Sequence, residues 1–187
     1  MATTSSHPLV RATQALERSE RLDPLVGFYQ PFADALVGSE GRRRLLQGDW
    51  LGHAIHPLMT DVPIGMWTSA TVLDLVGGER SRPAAELLVA GGLAASLPTA
   101  LAGWAEWHRS GRSEKRVGVV HAFSNVAAIG LYGASLAARR RGSHLTGVAL
   151  GLAGSTAMGV GGYLGGHLAA VRKVSSRHPD FEADALA

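Results

Sequence analysis

Imidazoles are the side chains through which this sequence could do chemistry. Two of its eight histidines stand three residues apart in Gly52-His53-Ala54-Ile55-His56-Pro57, and Asp61 follows just inside an apolar stretch. His121 and His167 lie within later apolar stretches, and Glu106 closes another. A neutral imidazole is an axial ligand for haem iron and an ordinary ligand for Zn, Fe or Cu. One chemistry is therefore a b-type haem held between imidazoles of two helices, drawn from His53, His56, His121 and His167. The other is a single transition-metal ion held by His56, His121 and His167 with Asp61 or Glu106. A third reading has no cofactor: the histidines are hydrogen-bonded polar side chains of a membrane anchor or assembly subunit, and Asp61 is a helix-start acid favoured by the dipole. The i, i+3 spacing of His53 and His56 adds little, because Pro57 disfavours helix at His56.

Several other chemistries are excluded. There is no cysteine, so the chain alone holds no disulfide, thiolate metal site, cysteine nucleophile or iron–sulfur cluster. Gly159-Val160-Gly161-Gly162 lies within an apolar stretch and follows no strand, so it is not a phosphate loop. No motif supplies a base for Ser124 or Ser155.

Four apolar segments must position the histidines: 57–76, 84–107, 117–138 and 145–171. A helix of about 20 residues crosses the hydrocarbon core of a bilayer. The third and fourth segments meet that test outright, and the first two meet it once buried polar residues are allowed. The links at 77–83, 108–116 and 139–144 are short and charged, which makes successive helices antiparallel. Charged residues are 18% of the chain and glycines number 24 of 187, a composition suited to closely packed membrane helices. The expected architecture is all-α: a polytopic membrane protein with a four-helix up-down bundle over 49–172, preceded by short amphipathic interfacial helices over 1–48 and followed by a polar tail at 173–187. In the lead-in, Asp23-Pro24 starts a helix and Pro31 breaks or kinks it. A net charge of +3 would suit nucleic acid, but these cations flank apolar segments, so no nucleic-acid partner is expected.

Cations near the segment ends outnumber those opposite on the side of Arg42, Arg43, Arg44, Arg109, Arg112, Lys115, Arg116, Arg172, Lys173 and Arg177, against Arg80, Arg82, Arg139, Arg140 and Arg141. Both termini are therefore expected in the cytoplasm of a bacterial cell, with the chain multi-pass in its inner membrane. On that side the four segments bring His53, His56, Glu106, His121 and His167 to one level, with Asp61 deeper and Trp67 near the middle. Asp61 is expected to accept a hydrogen bond from one of these imidazoles. The fourth segment offers a small-residue face, Gly147, Gly151, Ser155 and Gly159 at spacing four and then Gly161, Gly162, Gly165 and Gly166 next to His167, that suits a macrocycle or close helix packing.

Five stretches in order carry a family resemblance: Gly52-His53-Ala54-Ile55-His56-Pro57; Thr60-Asp61-Val62-Pro63-Ile64-Gly65-Met66-Trp67; Pro98-Thr99-Ala100-Leu101-Ala102-Gly103-Trp104; Val120-His121-Ala122; and Gly161-Gly162-Tyr163-Leu164-Gly165-Gly166-His167. The chain resembles, over about 45–172, the bacterial membrane family catalogued as domain of unknown function 2231. The resemblance implies a four-helix inner-membrane protein, and an association with Rieske iron–sulfur proteins that implies electron transfer. It supplies no catalytic residues. The resulting expectation is an electron-transfer or binding subunit rather than a stand-alone enzyme. It binds haem b, or else a transition metal or nothing, works with a separate Rieske protein or a quinone in the bilayer, and can form homo-oligomers.

Overall fold

The computed structural model describes residues 7–175, and among them every regular element is helical. Three short helices lead: α1 (Pro8–Arg18), α2 (Asp23–Leu36) and α3 (Glu40–Gln47). Four long ones follow: α4 (Ile55–Val76), α5 (Arg82–His108), α6 (Arg112–Arg140) and α7 (His144–Gly166), the last closing in a π turn over His167–Val171. Local chemistry sets the starts. The His7 ring caps α1 by accepting from the Leu9 N–H, with Pro8 in the first turn where no N–H is missed. Ser39 caps α3 by accepting from the Arg42 N–H. α3 stops at Gly48, whose φ of 75° is left-handed and whose absent Cβ would collide with the backbone at His53 and Ile55. That turn swings the chain into α4.

Each long helix packs along its successor, α4 on α5, α5 on α6 and α6 on α7, and α7 returns to α4. The result is the expected up-down bundle, with α4 and α6 diagonal to each other. The buried positions alternate four and three apart: Ala85, Val89, Gly92, Ser96 and Thr99 on α5, and Ala128, Tyr132, Ser135 and Arg139 on α6. This is the heptad rhythm of coiled-coil packing. It replaces the i, i+4 glycine row expected on α7. The buried small residues there are Gly147, Gly151, Gly154 and Gly161, while Gly159 has nothing near it, because a straight i+4 row drifts off a seam of period 3.5.

The two hairpins, α4–α5 and α6–α7, are built alike. Asp74 and Arg139 stand 65 residues apart and pair with each other. The same spacing separates His56 from His121, Trp67 from Tyr132, and Ile64-Gly65-Met66 from Ile129-Gly130-Leu131. The contacts repeat too: Trp67 packs on Gly92 of its own hairpin, and Tyr132 packs on Gly154 of its own. Equivalent residues of the two hairpins meet across the diagonal. Trp67 and Tyr132 stack at 4.2 Å with their planes 12° apart, at the heart of the main core cluster with Ala70, Ala85 and Val89. Parallel repeats of this kind are related by an axis along the bundle.

The four-span expectation is met only in part. Three helical stretches, Glu79–His108, Arg112–Arg140 and His144–Val171, are long and apolar enough to cross a membrane. α4 is not among them, since it carries Asp61, Asp74, His56 and several hydroxyl residues along its 22 positions. Prolines also behaved differently from expectation. α2 runs unbroken through Pro31, as α4 does through Pro63 and α5 through Pro98. An interior proline costs about 3 kcal/mol, and packing of these helices on their neighbours outweighs it. Against α5, for example, Tyr29 and Phe32 of α2 meet the Trp104 ring at 5.1 and 5.8 Å.

Candidate functional site: a paired histidine layer

His56 is the second residue of α4, within the first turn, where backbone N–H groups lack intrahelical partners and Pro57 therefore removes nothing. The helical conformation that Pro57 was expected to oppose is thus accommodated. The imidazole turns into the bundle. Its Nδ1 lies 2.9 Å from the carbonyl oxygen of Thr99 on α5, and the ring sits over Gly103, where a Cβ would come within 2.7 Å of Cε1. His121 repeats the arrangement in the second hairpin. Its Nδ1 lies 2.8 Å from the Gly161 carbonyl on α7, and a Cβ on Gly165 would come within 2.9 Å of its Cε1. A carbonyl only accepts, so each Nδ1 carries the proton and each Nε2 carries the lone pair. The two rings meet across the diagonal with centroids 6.4 Å apart and planes at 90°. Nε2 of His121 accepts from the Asn125 amide at 3.0 Å, one turn along α6.

The other expected members of the layer lie elsewhere. His53 is exposed, with Nδ1 3.1 Å from the Ala54 carbonyl oxygen. His167 turns away from the bundle axis to α1, where Nε2 lies 2.8 Å from Oε1 of Glu17. Asp61 is exposed; five residues past His56, it faces away from the seam, and the carbonyls of Thr99 and Gly161 accept from the imidazoles in its place. Glu106 is buried near the end of α5. Among the described residues no three His, Asp or Glu side chains are placed to share a metal ion, so the expected set of His56, His121, His167 and Asp61 or Glu106 is not assembled. The helix that was to place His167 beside His121 presents Gly161 and Gly165 there instead, and His167, two residues past Gly165, points off that face.

The sequence reading missed the Thr99 and Gly161 carbonyls, Asn125 and Gly103 as a contact of the His56 ring, and it took Gly165 only as one of a small-residue face. The carbonyls leave no mark in a sequence. Asn125, at i+4 from His121, and the glycine pair, at equivalent places in the two repeats, did leave one.

The far half of the bundle carries a second polar system. Arg139 holds Asp74 through Nη1 and Oδ1 at 2.8 Å, and its Nε donates to Ser135 at 3.2 Å. Ser135 in turn donates to the Gly147 carbonyl at 2.6 Å. The Tyr132 hydroxyl meets Ser155 at 2.8 Å, which meets Thr71 at 3.2 Å. Fold and site together define a membrane protein built from two like helical hairpins that place matched polar side chains along a central seam. The chain belongs to the family described as "Predicted membrane protein (DUF2231)", whose match covers residues 52–178. That span takes in both hairpins. No curated protein and no solved structure matches the chain.

Proposed function

We propose that the chain is a haem b-binding, electron-carrying subunit of the bacterial inner membrane, with His56 and His121 as the two iron ligands. One observation carries the reading: equivalent imidazoles of the two repeats face each other across the diagonal at 6.4 Å. Two imidazoles on opposite sides of one ion, at the usual metal–nitrogen distance of about 2.0–2.1 Å, have ring centres roughly 6 Å apart. The donor chemistry fits as well. Metal-bound histidines donate their other N–H to a carbonyl or carboxylate, which fixes the tautomer. Thr99 and Gly161 accept those protons here. Gly103 and Gly165 leave space where a side chain would displace the rings. Asn125 must release Nε2 of His121 for a ligand to take its place.

Bound there, haem would supply one-electron chemistry. The chain's own part is to hold two neutral imidazoles at a fixed separation and to keep water from them with apolar helices. In this reading α4 is a fourth span. Its 22 residues reach about 33 Å at 1.5 Å per residue, and Thr71 and Asp74 face bundle partners rather than lipid. Both termini lie in the cytoplasm, and electrons pass to or from a quinone or a separate Rieske-type protein, the partner that the family resemblance implies.

A second reading is favoured by Asn125, whose amide satisfies His121 without any metal. The pair is then a polar packing layer of an anchor or assembly subunit. A reduced-minus-oxidised absorption spectrum of the purified protein separates the two. Haem bound by the pair gives a b-type difference spectrum that both His56→Ala and His121→Ala abolish while the protein still inserts, and that His144→Ala, at the opposite end of the bundle, leaves intact. A wild-type protein that stays colourless when reconstituted with haem overturns the proposal and leaves the packing layer.

A further inference from the structure

A groove of about 500 Å³ runs between α1 and the last turns of α7, at the level of the histidine layer but outside the bundle. Its volume falls within the range of small-molecule sites. α7 lies between it and His121: Gly165 faces the His121 ring and Gly161 faces Asn125 and offers its carbonyl to His121, while Gly162 and Gly166, one position further on, line the groove. A Cβ on Gly162 or Gly166 would meet nothing within 4 Å, so the floor is bare backbone against which a flat ring can lie.

The polar groups lie at defined places along this floor. The Thr13 hydroxyl, 2.9 Å from the Leu9 carbonyl, is also the donor toward the Tyr163 hydroxyl oxygen at 3.4 Å; Tyr163 accepts there and keeps its own proton for a ligand. Elsewhere Glu17, paired with His167 at 2.8 Å, presents a carboxylate that accepts protons. Arg172 is not a free cation, because its guanidinium is shared between Glu17 and Glu114. Two carboxylates, Glu17 and Glu114, stand against the one guanidinium of Arg172, so the lining does not select an anion such as a phosphate head group. It selects a neutral, flat molecule with one group that accepts a hydrogen bond and one that donates it.

We propose that this groove binds the head group of a quinone or quinol. Such a molecule reaches the site from the lipid, lays its ring on Gly162 and Gly166, accepts from Tyr163, and in its reduced form donates to Glu17. The proposal concerns binding alone. It rests on the haem reading only for the use made of that binding, since a site one helix from His121 is placed to exchange electrons with it.

The test is calorimetric titration of the full chain in detergent with a decyl-substituted benzoquinone, with its quinol under anaerobic conditions and, separately, with a decyl-substituted naphthoquinone. Saturable binding of at least one is expected. Gly166→Leu, which fills the floor, weakens it tenfold or more, and Glu17→Gln weakens the quinol more than the quinone. Gly159→Leu, away from the groove, has no effect. Decyl phosphate, with the same tail and an anionic head, does not compete. His121→Ala still binds quinone, and a wild-type protein that lacks haem yet binds quinone fails the haem reading alone. Each variant is checked first for an unchanged melting temperature. Absence of saturation with both quinones, equal competition by decyl phosphate, or undiminished affinity in a folded Gly166→Leu variant overturns the proposal.

Discussion

At the scale of single residues, the histidine layer depends on what is missing beside it. His121 is held by a hydrogen bond from Nδ1 to the Gly161 carbonyl and sets its Cε1 edge against the backbone at Gly165. Gly165→Ala puts a methyl group within 2.9 Å of Cε1 and forces the ring off that carbonyl. Overpacking of this kind costs roughly 1–3 kcal/mol. Gly159→Ala has open space around it and gains helix propensity worth about 0.5–1 kcal/mol. Thermal unfolding in detergent should therefore move in opposite directions for the two variants, down for Gly165→Ala and unchanged or up for Gly159→Ala. Of this layer, His56 and His121 were legible in the sequence, since an imidazole inside an apolar stretch needs a partner. Their acceptors were not, because any residue can offer a carbonyl. Asp61 drew attention as a carboxylate close to His56, yet its position round the helix turns it outward.

At the scale of elements, the short N-terminal helices are fastened to the bundle by ion pairs as well as by the apolar packing of Ala33, Tyr29 and Phe32. Arg116 near the start of α6 grips Asp23 at the start of α2 with Nε–Oδ1 at 2.6 Å and Nη2–Oδ2 at 2.8 Å, and donates also to the Glu17 carbonyl at 3.0 Å. These hydrogen bonds, and then the charges of Arg116 and Arg112, hold the Asp23 carboxyl below its ordinary value of 3.8 against the opposing effect of burial. A depressed folded value means that the contribution of this pair to the attachment is fully present above about pH 4, the ordinary carboxylate range, and is lost as pH falls through the folded value. Limited proteolysis should show faster cleavage within residues 1–48 below about pH 4 with the long helices still protected, and Asp23→Asn should show the same susceptibility at pH 7. The four long helices and their antiparallel order were legible from apolar segments and short links. The docking of α2 was not, since it depends on Asp23 and Arg116, 93 residues apart. Nor was the seam on α7, where a straight row of glycines was read in place of an alternating one.

At the scale of the whole molecule, one buried ion pair joins the two repeats. The side chains of Arg139 and Asp74 are 2% and 6% exposed. Removing one partner of such a pair strands the other charge in an apolar interior, at a cost of about 3–5 kcal/mol. Asp74→Ala should lower stability by that order in a denaturant titration, and the exchanged pair, Asp74→Arg with Arg139→Asp, should recover most of it. Ser135 bonds Arg139 on its own helix and would no longer do so after the exchange, so recovery stays incomplete. The repeat was legible all along in Ile64-Gly65-Met66-Trp67 and Ile129-Gly130-Leu131-Tyr132. A search for local motifs passes over it, because only the spacing of 65 residues, read across both halves, reveals it.

That ion pair also bears on how a chain of two like halves keeps them in order. A hairpin able to pair with itself would set like beside like at every position along the seam, as His56 and His121 still do. At position 74 and its counterpart this no longer holds: two copies of the first hairpin would face carboxylate with carboxylate, and two copies of the second guanidinium with guanidinium. Each half has thereby become unable to serve as its own mate. Severed in the link between α5 and α6, the chain would be expected to reassemble as one of each half, because the recognition is written into the seam and not into the link.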